Sequence, residues 1–392
     1  MKKFLIIILS LVFIFNINND NIVYATNETK ETNSIELPIN SPSAVLMEYS
    51  TGNILYQKNS NEKMYPASMT KMMAIYLFLE SIESNSHSFS DMVTVSTLAS
   101  SMGGSQVFLK ENETMSFEDL FKAVTIASAN DATVALAEYT YGSLETFIKE
   151  MNERAKDFGM NDTNFVNVTG FHDPNHYTTA IDMAIIAKKL LQDYQETLLT
   201  YTSIYDTYIR QDTSSPFWLV NTNRMLKFYQ GMDGLKTGYT SDSGFNLTAT
   251  ATRNNLRLIS VVMGGETSKL RNQDTTTLLD YGFNNYKSLT IYKNGEELTK
   301  TDFNNAKTTQ DALISKEDIN VVVKKNVNLD ELIVTIVIND LDSPKTTNDI
   351  VGTLTIKDNN ENILATYYLY PKNNIEKLSF WDLFMIYLKQ IM

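Results

Sequence analysis

Apolar residues along this chain fall into distinct kinds of run, and each kind predicts a different element. Behind Lys2 and Lys3, Phe4 to Phe15 is almost unbroken, and Val23-Tyr-Ala25 follows it. A charged start, an apolar middle and a small-residue end predict a signal peptide over residues 1–25. A retained membrane anchor is the alternative, but the run is short for a span, and Asn and Asp crowd its end. Thr26 to Leu37 is polar and predicts a loose arm over residues 26–37. Met69 to Leu79 is apolar nearly all round, which predicts a buried central helix. Phe245-Asn-Leu-Thr-Ala-Thr-Ala and Leu256-Arg-Leu-Ile-Ser-Val-Val-Met read as strands. Helices and strands mix in this way over residues 38–283, so the first domain is expected to be α/β (α+β).

From about residue 288 the pattern changes. Leu289-Thr-Ile-Tyr, Ile319-Asn-Val-Val-Val, Leu332-Ile-Val-Thr-Ile-Val-Ile, Gly352-Thr-Leu-Thr-Ile and Ile363-Leu-Ala-Thr-Tyr-Tyr-Leu-Tyr alternate or run β-branched between turn-forming residues. They predict a small all-β sandwich over residues 288–371. The tail, residues 375–392, predicts an amphipathic helix. On a helical projection Asp382, Lys389 and Gln390 gather on one side, with Phe380, Trp381, Phe384, Met385, Leu388 and Met392 on the other. It is too short and too charged to span a membrane, and fits an interfacial helix; docking on the β domain is the alternative.

Composition narrows the chemistry. The 392 residues carry 33 Lys and Arg against 46 Asp and Glu, a net charge of −13. Removing residues 1–25 takes away Lys2, Lys3 and Asp20 and leaves a net charge of about −14. That disfavours nucleic acid as a partner. The absence of Cys excludes disulfides, a thiol nucleophile and Cys-ligated zinc. The histidines are His87, His172 and His176. His172 and His176 have a metal-like spacing, but Pro174 between them prevents a regular helical pair, so a structural loop is the expectation and no metal is implied.

Three short motifs occur in order: Ser68-Met-Thr-Lys71, Ser128-Ala-Asn130 and Lys236-Thr-Gly238. Each alone is weak; together they match the set of a penicillin-recognising serine enzyme. Three residues apart at the head of a helix, Lys71 and Ser68 share a face, and a buried Lys near other cations loses its proton readily and can act as base toward a hydroxyl. A capping Ser with a solvated Lys is the plainer reading, but a Lys heading an otherwise apolar helix is unusual. The flanks of Ser128-Ala-Asn130 predict two helices meeting at a small-residue turn. Ser128 could pass a proton to a leaving amine, and Asn130 could hold Lys71 and a substrate carbonyl; helix capping is the alternative. Lys236-Thr-Gly238 precedes the two strands. Lys236 and Thr237 could bind a carboxylate, and Gly238 could let a ligand backbone approach and add to the strand edge.

With these residues the chain resembles the low-molecular-mass penicillin-binding proteins, the serine D-alanyl-D-alanine carboxypeptidases. The likeness extends to Ser43-Ala-Val-Leu-Met-Glu-Tyr-Ser-Thr-Gly-Asn-Ile-Leu, Tyr177-Thr-Thr-Ala-Ile-Asp-Met-Ala and Val262-Met-Gly-Gly. It implies a serine transpeptidase/β-lactamase-like domain, a β-sandwich that acts as a stalk or interaction module, and a C-terminal anchor on the outer face of the cytoplasmic membrane. It implies removal of the terminal D-alanine from peptidoglycan stem peptides ending in D-Ala-D-Ala, and acylation by β-lactam antibiotics, with no cofactor. Carried onto this sequence, Ser68 is the nucleophile, Lys71 its base, Ser128 a proton relay and Asn130 an orienting group. Lys236 and Thr237 bind the substrate carboxylate, and the backbone N–H groups of Ser68 and Tyr239 form the oxyanion hole. Arg271 resembles a carboxylate-facing Arg more loosely. Tyr239 stands where some members carry His. A class A β-lactamase is the nearest alternative, but no Glu-x-x-Leu-Asn-like stretch lies between Asn130 and Lys236. A β-lactam sensor without activity is another, but it would need a signalling span.

Overall fold

A computed structural model describes residues 7–9, 36–211 and 213–391. Apart from Ile7–Leu9, Glu36 and Leu37, the expected signal peptide and polar arm lie outside the described residues. Two compact units are present. One is Ile35–Asn284; the other holds Asn285–Met392 together with the strand Ile7–Leu9.

In the first unit a five-stranded antiparallel sheet runs in the order Ile54–Lys58, Ser43–Glu48, Leu256–Gly265, Gly244–Arg253 and Met232–Thr240. Side chains alternate across a strand. Val45, Met47, Ile259, Val261 and Met263 therefore enter the main core, against the long helix Ala180–Thr202. Leu46 and Leu258 point the other way and meet Gly282 of the helix Ser268–Asn285. Both sheet faces are thus covered, which is why these strands read as continuous apolar runs rather than clean alternation.

The helix expected from Met69 is preceded by a single 3-10 turn, Ala67–Thr70, and the α-helix proper is Lys71–Glu83. Every residue from Lys71 to Leu79 is buried. The helices Phe117–Thr125, Asn130–Tyr141, Leu144–Asp157 and Ala180–Thr202 all pack around it, so no face is left for polar residues. By contrast, Leu144–Asp157 buries only Phe147, Met151 and Ala155, a stripe at four-residue spacing on a surface helix. Ser116, Ser143 and Thr179 start their helices by accepting a backbone N–H three residues on.

The second unit is the expected sandwich. Ile333–Ile338, Gly352–Lys357 and Ile363–Pro371 form an antiparallel sheet that Gln310–Ile314 and Thr299–Asp302 extend on one side and Ile7–Leu9 on the other. Tyr286–Tyr292 and Ile319–Lys324 form a separate pair. Val321 and Val323 of the pair meet Val334, Ile336, Leu354, Ile356 and Leu369 of the sheet, all at alternate positions. The short strands 299–302 and 310–314 carried no pattern long enough to read. Ile375 is buried in this core and pairs with Lys345, so the tail helix itself begins later, at Phe380–Ile391. Ser379 and Asp382 cap it reciprocally. Its apolar surface is broader than one face, because Leu383 and Ile386 are exposed along with Phe380, Trp381, Phe384, Met385 and Leu388. Among the described residues no helix is long and apolar enough to cross a membrane.

Candidate active site

The 3-10 turn is what aligns the first motif. Its period of three places Ser68 and Lys71 in register, and Lys71 Nζ lies 3.0 Å from Ser68 Oγ. Ser68 thus sits one turn before the α-helix rather than within its first turn. Lys71 is completely buried and also reaches Asn130 Oδ1 at 2.7 Å and the carbonyl of Thr169 at 2.8 Å. Burial, above all, and the neighbouring Lys236 ammonium push Lys71 well below the usual lysine range, against the opposing Asp131 carboxylate.

The middle motif is a turn between two helices, as its flanks predict. Ser128 takes φ +62°, and Asn130 opens the next helix. The Asn130 side chain donates to the Gly103 carbonyl at 2.8 Å, and its backbone N–H to the Ser105 carbonyl at 2.7 Å. Asp131 accepts from the N–H groups of Val107 and Leu109. These bonds hold the 103–109 loop beside the site.

The third motif lies on Met232–Thr240, the edge strand of the sheet. Lys236 Nζ donates to Ser128 Oγ at 2.7 Å and to the Thr237 carbonyl at 3.1 Å. Burial and the nearby Arg271 guanidinium lower Lys236 to about 7. Thr237 Oγ1 donates to Thr222 Oγ1 at 2.7 Å. Gly238 has a reason within the protein besides the expected one. A Cβ there would stand 2.5 Å from the Pro66 carbonyl oxygen and 3.2 Å from Met69 N, so the missing side chain makes room for the Ser68 turn itself. Tyr239 is exposed and stacks on Phe245 with ring centres 4.2 Å apart.

Arg271 was expected, more loosely, to face a carboxylate. Its guanidinium donates to Asn272 Oδ1 at 3.0 and 2.7 Å and to the Asn246 carbonyl at 3.4 Å, and it is buried. These bonds use three of its five N–H groups, and its charge also acts on Lys236. The histidine loop is structural in its contacts. His176 Nδ1 accepts the Val166 N–H at 3.1 Å, so Nε2 carries the proton and donates to Thr70 Oγ1 at 2.7 Å. His172 packs edge-on against Tyr65.

Sequence reasoning missed the loop that completes the site. Asn167 Oδ1 accepts from the N–H groups of Thr169, Gly170 and Phe171, and this turn presents the Thr169 carbonyl to Lys71. Thr222 was missed as well. The Asn221-Thr-Asn223 triplet was a visible turn signal, but nothing in the sequence pairs it with Thr237.

Three motifs thus converge on two buried amines, two serine hydroxyls and an edge strand. A D-alanyl-D-alanine carboxypeptidase family model matches residues 27–267, and one for the C-terminal domain of penicillin-binding protein 5 matches residues 286–377. The chain is 41% identical over 358 residues to D-alanyl-D-alanine carboxypeptidase DacF of Bacillus subtilis, covering 91% of each chain. Penicillin-binding protein 5 from Haemophilus influenzae superposes with a TM-score of 0.75 at 32% identity, over 88% of this chain and 99% of that one. Penicillin-binding protein D2 from Listeria monocytogenes in its ampicillin-bound form gives 0.58 at 31% identity, over 64% and 100%.

Proposed function

Because this chain belongs to the D-alanyl-D-alanine carboxypeptidase family, and is a serine peptidase of cell-wall maturation, we propose that Ser68 is the hydroxyl it acylates and Lys71 the base. One observation carries the assignment. A neutral Lys71 has two N–H bonds to donate. Asn130 Oδ1 and the Thr169 carbonyl can only accept, and at 2.7 and 2.8 Å they take both. The lone pair is then left for the Ser68 hydroxyl at 3.0 Å. The depressed proton affinity of Lys71 supports the neutral form.

Ser68 gives its proton to Lys71 as its Oγ bonds to the carbonyl carbon of the penultimate D-Ala. The backbone N–H groups of Ser68 and Tyr239 receive the oxyanion. Lys236 already donates to Ser128 Oγ, so the Ser128 proton is directed elsewhere and suits the leaving amine. As the C–N bond breaks, D-Ala departs with that proton, the Lys71 ammonium returns its proton to Ser128, and water later cleaves the Ser68 ester and restores the Ser68 hydroxyl. Lys236 and Thr237 face the terminal carboxylate; Arg271 acts on Lys236 from behind. β-Lactams, which members of the family bind, acylate the same oxygen. The protein is exported by residues 1–25 and held on the outer face of the cytoplasmic membrane through the exposed apolar side chains of its tail helix.

The test is Ser68→Ala, followed by the mass of penicillin-treated protein and D-Ala release from a pentapeptide. Loss of both is expected; a retained covalent adduct or retained release overturns the assignment.

A further inference from the structure

We propose that Thr222 is a positioning residue for carboxylate recognition, acting through Thr237; this rests on the acylation reading above. Four observations point to it. Thr222 Oγ1 accepts the Thr237 hydroxyl at 2.7 Å. Its backbone is clamped on both sides by buried asparagines. Asn221 Nδ2 donates to the carbonyls of Thr202 and Ile204 at 3.2 and 2.9 Å, and Asn223 Nδ2 donates to the Gly234 carbonyl at 3.0 Å. The Thr222 N–H donates to the Ile126 carbonyl at 3.1 Å, two residues before Ser128. Between its buried neighbours Thr222 alone is half-buried. A rigid frame therefore presents one hydroxyl to another that belongs to the third motif, and ties it to the turn carrying the second.

The chemistry follows from the hydrogen count. Without a ligand the Thr237 proton points to Thr222. A carboxylate has no proton of its own and needs donors. When one arrives beside Lys236, the Thr237 O–H turns to it, and Thr222 rotates to donate its own proton to Thr237 Oγ1. No bond is made or broken; two hydroxyl rotors reverse. The resulting chain, Thr222 to Thr237 to carboxylate, polarises the last hydrogen bond and fixes the rotamer that makes it. Thr222 thereby favours ligands that end in a free carboxylate over neutral ones.

The experiment compares the second-order acylation rate of full-length protein by benzylpenicillin and by its methyl ester, followed by mass. In Thr222→Val the benzylpenicillin rate should fall about tenfold, the scale of a lost charge-assisted hydrogen bond, while the ester rate changes by less than about twofold. Thr222→Ser, which keeps the hydroxyl, should return both rates to within about twofold of wild type. Equal slowing with both compounds, no slowing with either, or no rescue by Ser overturns the proposal. Wild-type protein that takes up no penicillin would instead overturn the acylation reading, an outcome no Thr222 variant can mimic.

Discussion

Gly170 offers the sharpest test of how the site is held. It adopts φ +86°, and a Cβ built there would lie 1.9 Å from the Ala67 carbonyl oxygen, 2.3 Å from its carbon and 2.9 Å from Ser68 N. These are backbone atoms, so no side chain can swing aside. Ordinary contact needs roughly 3.4 Å or more, so Gly170→Ala must separate the two backbones by over about 1 Å. One backbone carries Ser68 and the other carries the Thr169 carbonyl that binds Lys71. The positive φ contributes about 1–2 kcal/mol and the forced separation about 1–3 kcal/mol more. For a unit of this size that lowers the melting temperature by about 5–15 °C. A displacement of about 1 Å in Ser68, the proposed nucleophile, should slow acylation about 100-fold. Gly159→Ala is the matched control: its φ is +77°, but nothing lies within 4 Å of its Cβ. It should show only the dihedral contribution, about 1–2 kcal/mol, and acylate normally. The assay is thermal melting together with the rate of penicillin adduct formation for both variants. If Gly170→Ala melts and acylates like Gly159→Ala, the tight apposition of the 167–171 loop on the Ser68 turn is wrong.

Activity should follow a bell in pH. On the acid side Lys71 gains a proton and loses its lone pair; on the alkaline side Lys236, lowered to about 7, loses the charge proposed to bind carboxylate, so Lys236→Arg should move the alkaline limb of kcat/KM upward, and an unmoved limb refutes the role. Folding stability has its own signature. A lysine lowered from 10.5 to about 7 binds fewer protons folded than unfolded in that window, so stability rises with pH between about 7 and 10.5, and Lys236→Met should flatten that rise in denaturant titrations. His176 is held neutral by burial, near about 4. The unfolded chain takes its proton first, so stability is lost as pH falls from about 6.5 toward 4, a loss that His176→Gln should reduce. Deleting 380–392 should release protein from the membrane fraction with full activity on a small peptide. The cut must spare Ile375, which is buried in the sandwich core; retention of the truncated protein on membranes would remove the anchor.

Much of this site was legible before any fold was known, because its chemistry is local. A hydroxyl and an amine three residues apart on one turn must meet. The all-round apolar run from Met69 could only be buried, and it carried Lys71 inside with it. Alternation in the C-terminal third sufficed for a sandwich, since side-chain period alone decides which face of a strand meets a core. Asn130 holding Lys71 was expected from the motif set, but the other contacts between distant segments were not legible. Lys71 meets Thr169, Lys236 meets Ser128, and Thr237 meets Thr222, across separations that no periodicity records. Gly238 and Gly170 illustrate the limit. The sequence shows that a side chain is missing, but only the tertiary structure shows what occupies its place, and in both positions it is the backbone of the Ser68 turn. Arg271 shows the converse, since its charge was visible and its partners, Asn246 and Asn272, were not. Residue type and spacing determined which groups could react. Long-range packing, by burying both lysines and pressing two glycine-bearing segments on one turn, decided their protonation and where their donors point.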